Sequence, residues 1–342
     1  MLHERATITL NDVAQRAGVS PMTVSNVING KGNVRPATRQ RVLTAIAETG
    51  YRVNPLARSL AGGHNRIISV FTPQLNRPYA AEVVQGAGEA AERLNYDLVV
   101  MMLSPNSTSD FSMMARLSVG ALLIQPSRQT QQFSTDLPTH VVSVDGPSAH
   151  PLVVDNYGGA CLAMNHLLSL GHTEIGFISG LEAEPDVKDV PQGSDLYERN
   201  DAHERFRGYR ESLALAGLPQ NAAYVQHGNF TKESGEQAAQ ALLRLPVPPT
   251  ALFVSGDAMA LGALHAAQDF GLRVPGELSV VGFDDLPMAT ASRPGLTTVR
   301  QPLLHMGAVA VQMLAALAAG EEPLLPAPFP TQLIVRESTA RR

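Results

Sequence analysis

The chain has 342 residues and is poor in the residue types that mark several common classes of protein. One cysteine, Cys161, excludes an internal disulfide framework and a multi-cysteine zinc site. There is no tryptophan, so stacking on a ligand ring would fall to tyrosine or phenylalanine. The sequence has no run of about 18 apolar residues, so no membrane span is expected. The N-terminus lacks the apolar core of a secretion signal, which predicts a cytoplasmic protein.

Motifs that carry catalytic or cofactor chemistry are also missing. There is no Walker phosphate loop and no G-x-S-x-G elbow. The string QGAGEAA (85–91) lies within a helical pattern rather than at a strand-to-helix turn, so it does not predict a dinucleotide site. His166 and His172 lack the spacing of metal ligands. We therefore predict no catalytic residue, no metal site and no cofactor.

The charge of the chain is unevenly distributed. The whole chain carries a net charge of −5, but residues 1–62 hold eight Lys and Arg against three Asp and Glu. The remainder is therefore acidic. A basic head on an acidic body indicates that only the head meets a polyanion, although a solvated charged surface would give the same count.

The basic head has the pattern of three short helices. Thr9 begins the first, Ser20 caps the second with Pro21 at its first position, and PATRQRVLTAIAETG (36–50) forms the third. In the second helix the aliphatic side chains fall on one face, so its small, uncharged side chains face outward. Two short helices joined by a tight Ala-Gly-Val turn and braced by a third predict a helix-turn-helix unit, which lays its second helix in the major groove of DNA.

The outward side chains suit contacts with DNA. Asn26 can bond adenine through two hydrogen bonds, and Met22 can touch a thymine methyl. Residues around the two helices can hold phosphates. The predicted contacts of the head are Thr9, Leu10, Ser20, Pro21, Met22, Thr23, Ser25, Asn26, Asn29, Asn33, Arg35, Thr38 and Arg39.

The stretch TLNDVAQRAGVSPMTVSNVINGKGNVRPATRQRVLTAIAETGYRVNPLARSLAGG resembles the DNA-binding head of the lactose-repressor/galactose-repressor (LacI-type) family. The resemblance implies that NPLARSLA is a hinge helix that pairs with its copy on the operator and places Leu60 in the minor groove. The hinge residues implied to contact DNA are Asn54, Ala57, Arg58 and Leu60. The sequence departs from the family at Asn26, where many members carry Arg, so a different base preference is expected there.

The body alternates short apolar runs with helical patterns, which predicts doubly wound parallel sheets. The predicted strands are Ile67–Phe71, Leu98–Met102, Ala121–Ile124, Val141–Val144, Ile175–Ile178, Ala251–Val254 and Leu278–Phe283. The predicted helices are Tyr79–Leu94, Asn156–Leu170, Ala202–Ala216, Lys232–Arg244 and Asp257–Phe270.

Segments such as GHTEIGFISG (171–180), ERFRGYRESL (204–213) and GLRVPGELSVVGFDD (271–285) extend the family resemblance through the body. The resemblance implies a two-lobed α/β body of the periplasmic-binding-protein type below an all-α head. The expected domains are a helix-turn-helix unit (1–53), a hinge and linker (54–65) and an effector-binding and dimerisation domain (66–342). We expect an N-lobe of 66–164 and 294–322 and a C-lobe of 165–293 and 323–340, with crossings near 164, 293 and 323.

The resemblance places a small-molecule effector in the cleft between the lobes. Carboxylates, an arginine fork and aromatic faces suit a polyhydroxylated or heterocyclic ligand, with a sugar favoured and a purine as the alternative. The implied effector contacts are Tyr79, Asp145, Arg205, Phe230, Asp257 and Asp284. Each also has a structural interpretation: Asp257 could cap its helix, Asp284 could brace a loop, and Tyr79 could be core. Of the adjacent pair Asp284-Asp285, one is expected to face the ligand and the other to be structural.

Two further features bear on assembly and specificity. The acidic stretch 181–204 is longer than the family usually has, and could be a lid, a dimer contact or disordered. The chain stops soon after LIVREST without a leucine-repeat tail, so a homodimer on a pseudo-palindromic double-stranded operator is expected. We predict a ligand-responsive transcriptional regulator that acts as a repressor. A secreted sugar-binding protein and an enzyme on a doubly wound fold are the alternatives.

Overall fold

The computed structural model describes residues 8–30, 34–51, 66–102, 117–124, 140–146, 148–180 and 201–342. The chain divides into two compact units, Met1–Asn65 and Arg66–Arg342, which are described separately. Five predicted DNA contacts lie outside the described residues: Asn33, Asn54, Ala57, Arg58 and Leu60. Most of the 181–204 stretch also lies outside them.

The first unit contains the three predicted helices. They are α1 (Leu10–Ala17), α2 (Pro21–Ile28) and α3 (Pro36–Thr49). Thr9 caps α1 in a reciprocal arrangement with Asp12, and Gly18 ends it with a φ of 64°. The small core of this unit joins all three helices and is formed by Val13, Ala14, Ala17, Val24, Val27, Val42 and Ala45.

The second unit begins with a parallel sheet of five strands. The strands are β1 (Ile67–Thr72), β2 (Asp97–Met102), β3 (Gly120–Ile124), β4 (His140–Val144) and β5 (His150–Leu152). Their order is β2-β1-β3-β4-β5. Two helices, α4 (Pro78–Arg93) and a later helix α10 (Leu303–Ala318), share a buried core with this sheet.

A second sheet of six strands follows. The strands are β6 (Ile175–Gly180), β7 (Val225–Gly228), β8 (Ala251–Val254), β9 (Ser279–Asp284), β10 (Thr297–Arg300) and β11 (Gln332–Ile334). Their order is β11-β10-β9-β8-β6-β7, and only the β10–β11 pair is antiparallel. The other α-helices of the described residues are α5 (Asn156–Ser169), α6 (Asp201–Leu215), α7 (Lys232–Leu243), α8 (Asp257–Asp269) and the short α9 (Pro287–Ala291).

The two sheets share one winding pattern. In each sheet, the strand that comes first in the chain lies between the strands that come second and third: β1 lies between β2 and β3, and β6 lies between β7 and β8. The direction of winding therefore reverses beside β1 and beside β6. Doubly wound sheets bind ligands beyond the carboxyl ends of their strands at this reversal. The alternation predicted from sequence is therefore present, and the fold is a small helical head with a two-lobed α/β body.

The chain crosses between the sheets at other points than predicted. Helix α5 packs in the core of the second sheet, so the first crossing precedes residue 156 rather than falling near 164. Strand β10 belongs to the second sheet, which places the second crossing after residue 300 rather than near 293. Phe329 still packs in the core of the first sheet, so the third crossing follows it rather than falling near 323. In each case the segment belongs to the lobe whose apolar core or sheet it joins, and this sets the position of the crossing.

Helices α4 and α10 cross at very short distance because each has a glycine at the crossing. A Cβ on Gly86 would lie 1.9 Å from the carbonyl oxygen of Leu304, and one on Gly307 would lie 2.0 Å from that of Val83. These two close contacts hold α10 against the first lobe, although the strands before and after it in the chain, β10 and β11, belong to the second sheet. Within the described residues no helix is long and apolar enough to span a membrane, and no cluster of side chains suits a metal ion.

Candidate DNA-contact helix and effector pocket

Helix α2 of the head buries its aliphatic face and exposes the rest. Val24 and Val27 are buried, whereas Met22 has 69% of its surface exposed. Ser20 caps the helix by accepting from the Thr23 backbone N–H at 3.3 Å. The Asn29 amide donates to the Ser25 hydroxyl at 3.2 Å. In the described part of the head the Asn26 amide makes no hydrogen bond, so it is available to an outside partner.

The other predicted head contacts surround α2. Thr9, Pro21 and Arg35 are exposed, and Thr38 and Arg39 lie in the first turn of α3. The free N–H groups of a helix start favour a phosphate. Leu10 differs from the rest because its side chain packs against the core of the head.

A pocket of about 490 Å³, including space open to solvent, lies in the second unit at the carboxyl ends of strands from both sheets. Four of the six predicted effector contacts line it. The lining residues are Arg77, Pro78, Tyr79, Asp201, Arg205, Phe230, Gly256, Ala258, Asp284 and Leu286.

Arg205, on α6, is the most firmly held side chain of the pocket. Its Nε donates to Asn156 Oδ1 at 2.8 Å and its Nη1 to the Ser255 carbonyl at 2.7 Å. The guanidinium carbon lies 3.8 Å from the centroid of the Phe283 ring. With only 3% of its surface exposed, Arg205 is preorganised to present its remaining N–H groups.

Asp284 is the last residue of β9, and its Oδ1 lies 3.8 Å from Nη1 of Arg205. Its Oδ1 accepts from the Gln301 amide at 2.6 Å. Burial raises the pKa of Asp284 to about 6 despite the opposing effects of Arg205 and Gln301. Asp201, at the start of α6, accepts from the Asn156 amide at 2.8 Å, and burial raises its pKa too.

Two polar groups near Arg205 have no partner among the described residues. The Tyr79 hydroxyl is buried and unbonded, and so are both carboxyl oxygens of Asp145, which follows β4 and is not among the residues that line the pocket. Burial, reinforced by the charges of Asp201 and Asp284, raises the pKa of Asp145 well above its usual value. Leaving a buried polar group unbonded costs about 1–3 kcal/mol. These groups are therefore suited to meet a ligand.

Phe230 forms an aromatic wall at the mouth of the pocket. Its φ of 62° is rare for a bulky residue. Its ring lies against Gly180, where a Cβ would approach the ring carbon Cζ to 1.9 Å. Arg77, from the other lobe, donates to the carbonyl of Asn229 at 3.3 Å. The rim is thus closed by a contact between the lobes.

Asp257 does not join the pocket. Its side chain is fully buried, and its oxygens accept from the Leu286 backbone N–H at 2.8 Å and from Thr298 at 2.6 Å. Leu286 packs into the core of the first lobe, so Asp257 braces a contact between lobes. Asp285 is also structural, since Arg300 and Arg336 each donate to it at 2.6 Å.

Sequence reasoning missed four residues of the site. Asn156 donates to Asp201 and accepts from Arg205. Arg77 lines the pocket from the first lobe, and Gln301, directly after β10, donates to Asp284 without lining the pocket. The available signal for Asn156 and Gln301 was their position directly after a strand or at a helix start. Asp201 was hidden because it lies within the acidic stretch 181–204, which the sequence marks as longer than the family usually has.

Comparisons with known proteins agree with this architecture. Residues 9–54 match the family of bacterial regulatory proteins of the lacI type, and residues 164–339 match a periplasmic binding protein-like domain. The chain is 34% identical over 317 residues to catabolite control protein A of Priestia megaterium, covering 90% of this chain and 91% of that protein.

Two solved structures are similar over nearly the whole chain. One is the lac repressor dimer bound to operator and the anti-inducer ONPF, with a TM-score of 0.82, 28% identity, and coverage of 97% of this chain and 99% of that one. The other is a complex of the transcriptional regulator CelR with cellobiose, with a TM-score of 0.67, 31% identity and the same coverage. The chain therefore belongs to the LacI family of bacterial regulatory proteins, and it is a ligand-responsive DNA-binding transcriptional regulator rather than an enzyme.

Proposed function

We propose that this regulator binds a pseudo-palindromic operator as a homodimer, with α2 in the major groove and Leu60 of the hinge in the minor groove. One observation carries the proposal: α2 exposes small, uncharged side chains, with Met22 most exposed and the Asn26 amide unbonded in the described head. Such a surface fits base edges better than phosphates. The similar lac repressor structure, a dimer on its operator, supports the assembly.

We further propose that a small molecule binds in the pocket between the lobes and changes the affinity for the operator. Of the six predicted contacts we keep Tyr79, Asp145, Arg205, Phe230 and Asp284 and leave out Asp257. We add Asp201, because it lines the pocket. Their carboxyl groups accept from hydroxyl or N–H groups, and Arg205 donates. A sugar-like effector suits this set best, in line with the cellobiose complex of CelR, and a nucleobase uses the same donors and acceptors.

The mechanism is a shift between two arrangements of the lobes. The pocket has walls from both lobes, so a ligand that contacts both favours the arrangement in which they fit it. If paired heads fit the half-sites in only one arrangement, effector and operator affinities are linked reciprocally.

The test is selection of sites from random double-stranded DNA with the full chain, followed by anisotropy titrations. Asn26→Ala should weaken the selected site by about 1–3 kcal/mol at one base pair and leave non-specific DNA unchanged. Leu60→Ala should also reduce specific binding more than non-specific binding. Arg39→Ala should weaken both and lower the salt slope by about one unit. Equal losses on both DNAs for Asn26→Ala or Leu60→Ala, or a loss confined to the selected site for Arg39→Ala, contradict the assigned roles.

The effector half is tested by adding sugars and nucleobases to the selected complex. An effector should change operator affinity severalfold in either direction and raise Tm of the full chain. Operator binding that no ligand in the panel changes, together with an unaltered Tm, contradicts this half of the proposal.

A further inference from the structure

Arg77 reaches from the first lobe to a turn of the second lobe. It precedes Pro78, the first residue of α4, and its backbone is extended, as a residue before proline prefers. The Gln74 side chain accepts from its Nε at 2.9 Å, which anchors the guanidinium in the first lobe. Its Nη2 donates to the carbonyl of Asn229, in the second lobe, at 3.3 Å. Arg77 also lines the pocket.

The peptide group that Arg77 contacts is the one that precedes Phe230. The carbonyl of Asn229 belongs to the peptide bond between Asn229 and Phe230, and φ of Phe230 describes rotation relative to that peptide plane. This φ is 62°, in the left-handed region that a bulky side chain rarely adopts. Such a conformation persists where several surrounding contacts hold it. A contact from the other lobe to this peptide is therefore placed to stabilise the unusual backbone.

Contacts within the second lobe hold the residues on either side of Phe230. The Asn229 backbone N–H donates to the Ser234 hydroxyl at 2.9 Å, and the Asn229 side chain accepts from the Thr231 backbone N–H at 3.2 Å. Thr231 in turn caps α7. The bond to the carbonyl between Asn229 and Phe230, in contrast, comes from Arg77. The conformation of this turn is therefore held by both lobes.

The Phe230 ring also has neighbours from both lobes. It lies against the backbone of Gly180, where an added Cβ would collide with the ring, and an added Cβ on Gly256 would lie 3.3 Å from it. The guanidinium carbon of Arg77 lies 6.0 Å from the centroid of the ring, at the limit of a cation–π contact. The main effect of Arg77 on this ring is therefore expected through the hydrogen bond to the preceding carbonyl.

We infer that Arg77 is a positioning residue for the aromatic wall of the pocket. From the first lobe it holds the peptide before Phe230, so the ring keeps its place only while the lobes are together. When the lobes separate, this peptide loses its partner and Phe230 can leave the left-handed region, which moves the ring. A ligand ring that packs on Phe230 therefore favours the arrangement in which Arg77 reaches Asn229. This inference deepens the proposed function, on which it rests for the presence of a ligand in the pocket.

The experiment exploits the lack of tryptophan in the sequence. Phe230→Trp in the full chain places a single tryptophan at the aromatic wall, and Arg77→Met is then added to it. Loss of one hydrogen bond of ordinary strength changes a local equilibrium about fivefold, so the acrylamide quenching constant should rise roughly twofold or more. The emission maximum should move to longer wavelength. Arg93→Met, at the exposed end of the same helix, removes the same charge and should change neither quantity.

A second measurement, by urea denaturation without tryptophan, covers the case in which the indole ring does not fit beside Gly180. In the otherwise unchanged chain, Arg77→Met should raise the equilibrium constant of unfolding about fivefold. Phe230→Gly removes the ring and adopts a φ of 62° without strain, so in this background Arg77→Met should raise the constant only about twofold or less. A role of Arg77 that is independent of Phe230 would give the same increase in both backgrounds.

The outcomes separate this inference from the proposed function. Equal quenching with and without Arg77→Met, or equal increases of the unfolding constant in the two backgrounds, overturns the positioning role of Arg77. Neither measurement involves DNA or a ligand, so the proposed function would then still stand. If quenching rises with Arg77→Met but no ligand changes operator affinity, the positioning role is supported and the effector half of the proposed function is contradicted.

Discussion

The two walls of the effector pocket are built differently. The wall from the second lobe is a set of bonded groups: Arg205 is held by Asn156 and Ser255, and Asp284 by Gln301. On the side of the first lobe, Arg77 is bonded at the rim, but the Tyr79 hydroxyl, which lines the pocket, has no partner among the described residues. The Asp145 carboxyl of this lobe also has none, although Asp145 is not among the lining residues. Arg205 and Asp284 thus form a bonded wall, although Gln301 Oε1 is itself buried without a partner among the described residues, whereas Tyr79 and Asp145 form an unbonded wall.

This difference explains how a ligand could act between lobes. A preorganised wall binds without further ordering, so it contributes affinity in any arrangement of the lobes. The unbonded wall gains its hydrogen bonds only when a ligand and the first lobe meet. A ligand therefore favours the arrangement that brings both walls to it, which is the differential interaction that a population shift requires.

The largest expected effect comes from breaking the bonded wall. Arg205→Met should lower the free energy of unfolding by about 3–5 kcal/mol, because it leaves buried carboxyls without their cation. Arg210→Met on the same helix is the control: Arg210 is exposed, so its loss should stay within about 0.5 kcal/mol. Urea denaturation of both variants measures the difference. Equal losses would show that Arg205 does not hold the wall together.

The turn behind this wall should give a smaller loss. Asp285→Asn keeps the geometry at a φ of 59° but weakens the bond to Arg336, whose side chain is only 16% exposed. A loss of about 1.5–3 kcal/mol is expected, as for hydrogen bonds to charged groups. Glu277→Gln breaks an exposed pair with Arg273 and should cost less than about 1 kcal/mol. If Asp285→Asn unfolds at the urea concentration of the wild type, the turn does not depend on this pair.

The sequence predicted the type of fold but not all of its strands or its crossings between lobes. Alternating apolar strands and amphipathic helices predicted the doubly wound sheets, because burial imposes those periods locally. Strands β5, β7, β10 and β11 were missed, since each has only three or four residues and interrupts its apolar side chains with polar ones, unlike the equally short but fully apolar β8. The crossings were displaced because both sheets use similar apolar strands, so the sequence does not reveal which core a segment joins.

For the site, the family resemblance supplied Arg205 and Asp284, and the structure places them 3.8 Å apart. It also supplied Asp257, whose side chain faces Leu286 and Thr298 instead of the pocket. A side chain's direction at a strand end depends on the local turn, which sequence does not show. Asp201 could be assigned to the site only from the structure, in which it begins α6 and lines the pocket together with Arg205. The roles in ligand binding remain predictions.

A third test uses pH to examine the bonded wall. The pKa of Asp284 is raised to about 6 in the folded chain, above its value of about 3.9 when unfolded. The folded state therefore holds this proton more tightly, so its contribution favours folding at low pH and is lost as the pH rises through about 6. Asp284→Asn removes this titration while His166 and His172 titrate in both proteins.

The measurement is Tm of wild type and Asp284→Asn between about pH 4 and pH 8. The wild type should gain stability relative to the variant as the pH falls from about 7 to 4. A difference that is constant across this range would mean that Asp284 has an ordinary pKa. If the Tm of the wild type relative to the variant instead increased with rising pH, the charge of Arg205 would lower the pKa of Asp284 by more than burial raises it.

The smallest change in stability is expected on the unbonded wall. Tyr79→Phe removes a hydroxyl that has no partner among the described residues, so it should leave the free energy of unfolding unchanged or raise it by up to about 1 kcal/mol. Tyr224→Phe is the matched control, because the Tyr224 hydroxyl donates to the Val247 carbonyl at 3.0 Å and its loss should cost about 0.5–1.5 kcal/mol. If the ligand-free chain loses more stability from Tyr79→Phe than from Tyr224→Phe, both walls are bonded before the ligand arrives. The contrast between them would then not be the source of the response.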